Sequence, residues 1–102
     1  MLEIRPNCEL CDKDLPANSQ DARICSYECT FCKDCVETVL ANVCPNCGGG
    51  FTQRPIRPNK VYREGTSLKY HPVSSKRIIS KYSKGEISTF CQMIKDIPPE
   101  CR

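Results

Sequence analysis

Cys25-Ser26-Tyr27-Glu28-Cys29-Thr30-Phe31-Cys32-Lys33-Asp34-Cys35 and the later Cys44-Pro45-Asn46-Cys47-Gly48 carry six cysteines, and Cys8-Glu9-Leu10-Cys11 upstream adds two. The eight fall into four pairs, three of them with two intervening residues. Such spacing lets one tight turn aim two thiolates at a single ion, and two pairs complete the tetrahedral sulfur shell that zinc prefers. Cys8, Cys11, Cys25, Cys29, Cys32, Cys35, Cys44 and Cys47 are therefore read as the ligands of two Zn2+ ions per chain. Gly48 supports this, because the turn after a metal knuckle favours positive φ, and Pro45 pre-sets the other side of that turn. Structural zinc is preferred over a redox dithiol or a disulfide framework.

Length makes the same demand. A chain of 102 residues with no Trp and three Phe has little apolar material for a core, and its ten cysteines supply the substitute. Met1 to Pro6 lacks the apolar run of a secretory signal, and the first cysteine comes at position 8. No stretch reaches the roughly 18 apolar residues of a membrane span. The expectation is a cytoplasmic protein that does not enter a membrane, in a reducing setting that disfavours disulfides.

Charge divides the chain in two. Residues 1 to 50 carry a balance of −4 and residues 51 to 102 one of +7. The composition changes at Gly48-Gly49-Gly50 and the Arg54-Pro55-Ile56-Arg57-Pro58 stretch, so residues 1–58 are assigned to an eight-cysteine zinc module and residues 59–102 to a basic tail. Within the module, Ala22 to Phe31 predicts a short hairpin and Val36 to Asn42 a helix of about two turns. In the tail, Ile87, Phe90, Cys91, Ile94 and Ile97 recur at helical spacing between Gly85 and Pro98, predicting a helix from about Glu86 to Asp96. Residues 60 to 84 read as loop.

Four pairs can be shared between two ions in three ways. A crossed arrangement is favoured, with Cys8, Cys11, Cys32 and Cys35 around one ion and Cys25, Cys29, Cys44 and Cys47 around the other. Cys29-x2-Cys32-x2-Cys35 followed by Cys44-x2-Cys47 also resembles the later half of a RING-type cross-brace. The pattern departs from it in the three residues between Cys25 and Cys29 and in the absence of the usual histidine. A closer resemblance rests on Arg5-Pro6-Asn7-Cys8, Asp14-Leu15-Pro16, Ala22-Arg23-Ile24-Cys25-Ser26-Tyr27-Glu28-Cys29-Thr30-Phe31-Cys32 and Cys44-Pro45-Asn46-Cys47-Gly48-Gly49. These residues resemble the bacterial cysteine-rich family known as domain of unknown function 1272, over about residues 1 to 58. The resemblance implies a bacterial, cytoplasmic zinc module and implies no activity.

The expected fold is a small zinc-stabilised α+β protein: a RING-like cross-brace or treble-clef module with two zinc sites, followed by a basic tail with one short helix. Full sulfur shells leave no open position for a reacting water, so no catalytic residue is assigned and the chain is not expected to be an enzyme. Glu9, Glu28 and Asp34, beside ligands, read as solvated surface. His71 reads as a surface histidine, Cys91 as a buried structural thiol and Cys101 as unpaired.

The first function hypothesis is a protein-interaction adaptor using the surface around Leu10, Ile24, Phe31 and Val39. The alternative is nucleic-acid binding through the basic tail, by Arg54, Arg57, Lys60, Arg63, Lys76, Arg77 and Lys81 with interleaved tyrosines. A thiol redox enzyme or a ubiquitin-ligase-like protein ranks third.

Overall fold

A computed structural model describes residues 1–102. The first element the chain builds is a turn, not a helix or strand. Asn7 and Asp14 form an isolated antiparallel bridge, and inside it Cys8 N–H donates to Lys13 O at 2.8 Å and Asp12 N–H to Cys8 O at 2.9 Å. Asp12 takes the left-handed conformation that this reversal needs, with φ 64°. Cys8 and Cys11 thereby come to one side of a closed loop.

The predicted hairpin forms. Strand β1 (Ala22–Ile24) pairs antiparallel with β2 (Thr30–Cys32), setting Arg23 opposite Phe31. Glu28, at φ 67°, completes the tight connection that carries Cys25 and Cys29. Residues after the glycine run return as a two-residue strand, β3 (Thr52–Gln53), on the free side of β1, giving the sheet order β2-β1-β3. So short a strand leaves no readable alternation in sequence.

Helical structure begins at Lys33, three residues before the predicted start at Val36. The reason is a sulfur cap: Cys32 Sγ accepts the Cys35 N–H at 3.4 Å, satisfying a donor that a helix start leaves unpaired. One turn, α1 (Lys33–Cys35), widens into a π turn over Val36–Leu40. It stops short of Asn42 because Ala41 and Asn42 both enter the left-handed region, at φ 50° and 60°.

Phe31, Leu15, Leu40, Val43 and Ala22 pack among buried cysteines in one core, and Phe31 meets Phe51 edge to face at 5.4 Å. Helix α2 (Lys84–Ile94) joins this core through Ile87 and Cys91, with Phe90 and Ile94 packed alongside. It starts two residues before the predicted Glu86, because Ser83 and Glu86 form a reciprocal capping box: Ser83 Oγ accepts the Glu86 N–H and the Glu86 carboxylate accepts the Ser83 N–H. Gly85 lies inside the first turn, and Ile97 lies beyond the helix, 40% exposed. Residues 60–83 contain no helix or strand. The fold is a small α+β structure, and no helix is long and apolar enough to cross a membrane.

Candidate metal centres

The knuckle at Cys8–Cys11 and the end of β2 with α1 meet across the sheet. Sulfurs of Cys8, Cys11, Cys32 and Cys35 all lie within 4.8 Å of one another, with Cys11 and Cys32 3.8 Å apart. Cys8, Cys32 and Cys35 are buried and Cys11 is exposed. The second group draws on the hairpin tip and the Val43–Gly49 turn. Sulfurs of Cys25, Cys44 and Cys47 lie within 4.8 Å of one another, and the buried Cys29, expected as the fourth ligand, is not among them. Here too a single sulfur, that of Cys47, is exposed. Either group could hold a metal ion.

The Val43–Gly49 turn has the geometry the sequence suggests. Gly48 sits at φ 80°, its N–H donating to Cys44 O at 2.7 Å, while Cys44 N–H donates to Gly49 O at 2.8 Å. Gly49 N–H then donates to Cys47 Sγ at 3.4 Å.

Without metal, each group shares its protons unevenly. The Cys29 and Cys44 thiols donate to Cys25 and hold it down to about 3. Cys44 is pushed up by Cys25 and Cys29, in addition to burial. Burial raises Cys8, and burial with Cys32 beside it raises Cys35. Packed thiols cannot all ionise together at neutral pH unless a cation offsets their repulsion.

Glu9 departs from the solvated role expected of it. It is 2% exposed, and its carboxylate accepts from Thr30 N–H at 2.6 Å and Arg5 Nη1 at 2.8 Å. Burial pushes Glu9 up, and the Thr30 amide and Arg5 oppose that rise. Glu28 is half-buried and accepts the Glu3 N–H, whereas Asp34 is exposed.

The basic residues also need correction. Arg54 is 1% exposed and cannot meet a phosphate: Nη1 donates to Arg5 O at 2.8 Å, and Nη2 to Leu15 O and Pro16 O at 3.2 and 2.9 Å. Burial without a carboxylate partner lowers its hold on the proton. Arg57 donates to His71 O and Leu2 O at 2.8 and 2.6 Å. Arg77 is tied to Asp12 and Asp14 at 2.8 and 2.7 Å. Lys60, Arg63, Lys76 and Lys81 remain exposed, with Lys81 Nζ 5.3 Å from the centre of the Tyr82 ring.

Phe31, expected on an interaction surface, is fully buried, because β2 is covered on both faces and the ring packs edge to face on Phe51. Leu10 and the half-exposed Val39 instead line a cleft of about 320 Å³ beside Cys11 and Cys35, with Lys84 at its edge. Ile24 is half-buried and is not among the residues lining it. Cys91 is buried as expected, its S–H directed to Val43 O at 3.7 Å, and Cys101 is exposed. His71 is half-buried, outside both sulfur groups. Sequence reasoning missed the buried roles of Asn7, Glu9 and Arg54, and no spacing distinguishes a buried polar residue from an exposed one.

Residues 1–57 match the family model described as a protein of unknown function (DUF1272). An uncharacterized protein of Rhizobium meliloti (strain 1021) is 52% identical over 79 residues, covering 78% of this chain and 87% of the relative. An alignment of 79 residues exceeds the 57 of the family segment, so the likeness continues into the tail. No solved structure matches the chain. With the matched segment ending ten residues after Cys47 and containing every cysteine of both sulfur groups, this chain belongs to the DUF1272 family.

Proposed function

We propose that each sulfur group holds one Zn2+, making a RING-like cross-braced module, and that the protein is a non-catalytic adaptor for another protein. The observation that carries the metal reading is the sulfur geometry. Zn–S bonds of about 2.3 Å place the corners of a tetrahedron about 3.8 Å apart, which is the Cys11–Cys32 separation of 3.8 Å. A donor set of four thiolates suits zinc better than the hard cations, which take oxygen ligands. The metal's contribution is structural: it cross-links distant segments and neutralises thiolates that would otherwise repel. Such chemistry requires reduced cysteines, in keeping with the cytoplasm.

The adaptor reading rests on the Leu10–Val39 cleft, where apolar side chains stay accessible next to a rigid knuckle. Nucleic-acid binding has less support, since three of the seven basic residues first considered are engaged within the chain. Elemental analysis with native mass spectrometry of the full chain, purified under reducing conditions, should find two zincs. Zero zinc with intact disulfides would sink the metal reading. For the adaptor, Val39→Glu should abolish retention of a cross-linked protein partner while leaving metal content unchanged, whereas steeply salt-dependent RNA or DNA binding would favour the alternative.

A further inference from the structure

Each sulfur group exposes one ligand, and each exposed ligand lies on a turn that the tail braces from outside. Cys47 belongs to the Val43–Gly49 turn. Arg102 reaches over it, with Nη1 donating to Asn42 O at 2.7 Å and to Gly48 O at 3.2 Å, while Nε donates to Ile97 O at 2.9 Å. One guanidinium thus joins the two flanks of the Cys44–Cys47 knuckle. Helix α2 closes on the same turn, where a side chain at Gly48 would begin 3.4 Å from Ile94 Cδ1, and beyond α2 the Pro99 ring covers the next residues, 3.0 Å from where a side chain at Gly50 would begin. The Cys91 thiol points to Val43 O.

Cys11 belongs to the first knuckle, which is braced by a different segment. Asn7 and Ile78 exchange two hydrogen bonds, Asn7 Nδ2 to Ile78 O at 2.9 Å and Ile78 N–H to Asn7 Oδ1 at 3.3 Å. Ser80 N–H donates to Glu9 O at 2.7 Å, and Arg77 grips Asp12 and Asp14. No brace is shared between the two knuckles.

We propose that the tail sets the residence time of the two metals separately: residues 77–80 retain the ion at Cys8, Cys11, Cys32 and Cys35, and Arg102 with α2 retains the ion at Cys25, Cys29, Cys44 and Cys47. A competing ligand must first replace the sulfur it can reach, and in each group that sulfur leaves only when its turn lifts. Tethering the turn raises the barrier to lifting without touching the metal. This inference rests on the two-zinc reading above.

The test is a chelator challenge of the zinc-loaded full chain, pulsed with N-ethylmaleimide and read by peptide mass mapping, so that Cys8/Cys11 and Cys44/Cys47 are followed independently. Arg102→Ala should expose Cys44 and Cys47 to alkylation about tenfold sooner, the scale of a lost charge-assisted hydrogen bond, and leave Cys8 and Cys11 unchanged. Arg102→Lys, which keeps the charge but lacks the fork, should give an intermediate rate. Arg77→Ala should do the converse, speeding Cys8 and Cys11 by about threefold, since its ion pairs are solvent-exposed. Equal acceleration at both knuckles, or none at either, would overturn the inference while leaving two bound zincs intact. A wild-type chain without zinc would overturn both readings together.

Discussion

Residues 1–57 and residues 58–102 reach order by opposite routes. Of 22 buried residues, the second segment supplies only Ser67, Ile87 and Cys91. The first segment therefore holds nearly the whole core, with sulfur groups where a larger protein would have aliphatic layers. The second has helix α2 and a 3-10 turn over Pro99–Cys101, and is otherwise fastened to the first by backbone and side-chain hydrogen bonds, at Ile4, Asn7, Glu9, Asp12 and Asn42. A segment with so small a core of its own takes its shape from its support. Order in the tail is thus a consequence of order in the module, and the reverse dependence should be weaker.

That asymmetry can be broken most forcefully at Cys32, whose sulfur belongs to the first group and also caps α1. On the two-zinc reading proposed above, Cys32→Ser should remove about 10 kcal/mol or more of apparent metal-binding energy and leave the chain unfolded at 25 °C, in both segments alike, by circular dichroism and elemental analysis. A tail that kept its helix in this variant would show that the dependence is not as described. Next in size is Arg54→Leu, which takes the donor from the carbonyls of Arg5, Leu15 and Pro16 and should cost about 3 kcal/mol in denaturant unfolding while metal content stays unchanged. The smallest effect is expected from Ser83→Ala. Losing the capping box should cost α2 about 1 kcal/mol, seen as faster amide exchange over residues 84–94, with exchange in β1 and β2 unchanged. Equal acceleration in the strands would mean that the two segments open as one unit.

How much of this could be read in advance follows the same division. The hairpin was legible because cysteines flank it at a spacing that encodes a turn, whereas the helical turn was read from Val36 and begins at Lys33, where the Cys32 sulfur caps it. The α2 stripe was legible from Ile87, Phe90, Cys91 and Ile94. Its start, two residues before the predicted Glu86, is set by Ser83 and Glu86, whose capping box outweighs Gly85 as a boundary marker. What remained hidden were contacts between residues far apart in the chain. Nothing local to Arg54 says that it will cap carbonyls 38 to 49 residues away, nor does anything local to Asn7 announce Ile78. A count of basic residues in the tail treats Arg54, Arg57 and Lys60 alike, whereas burial separates them.

The short hairpin also acts as a measuring rod. Its tip carries Cys25 to one sulfur group, and Cys32, at the far end of β2, belongs to the other, so the run from Cys29 to Cys32 fixes the span between the two groups. Successive strand residues face opposite sides, and adding one residue within that run would turn Cys32 away from its group and shift the helical turn behind it. Thr30 and Phe31 can be exchanged for other residues at some cost, but their number cannot change. Along this stretch the chain should tolerate altered spelling and no altered length.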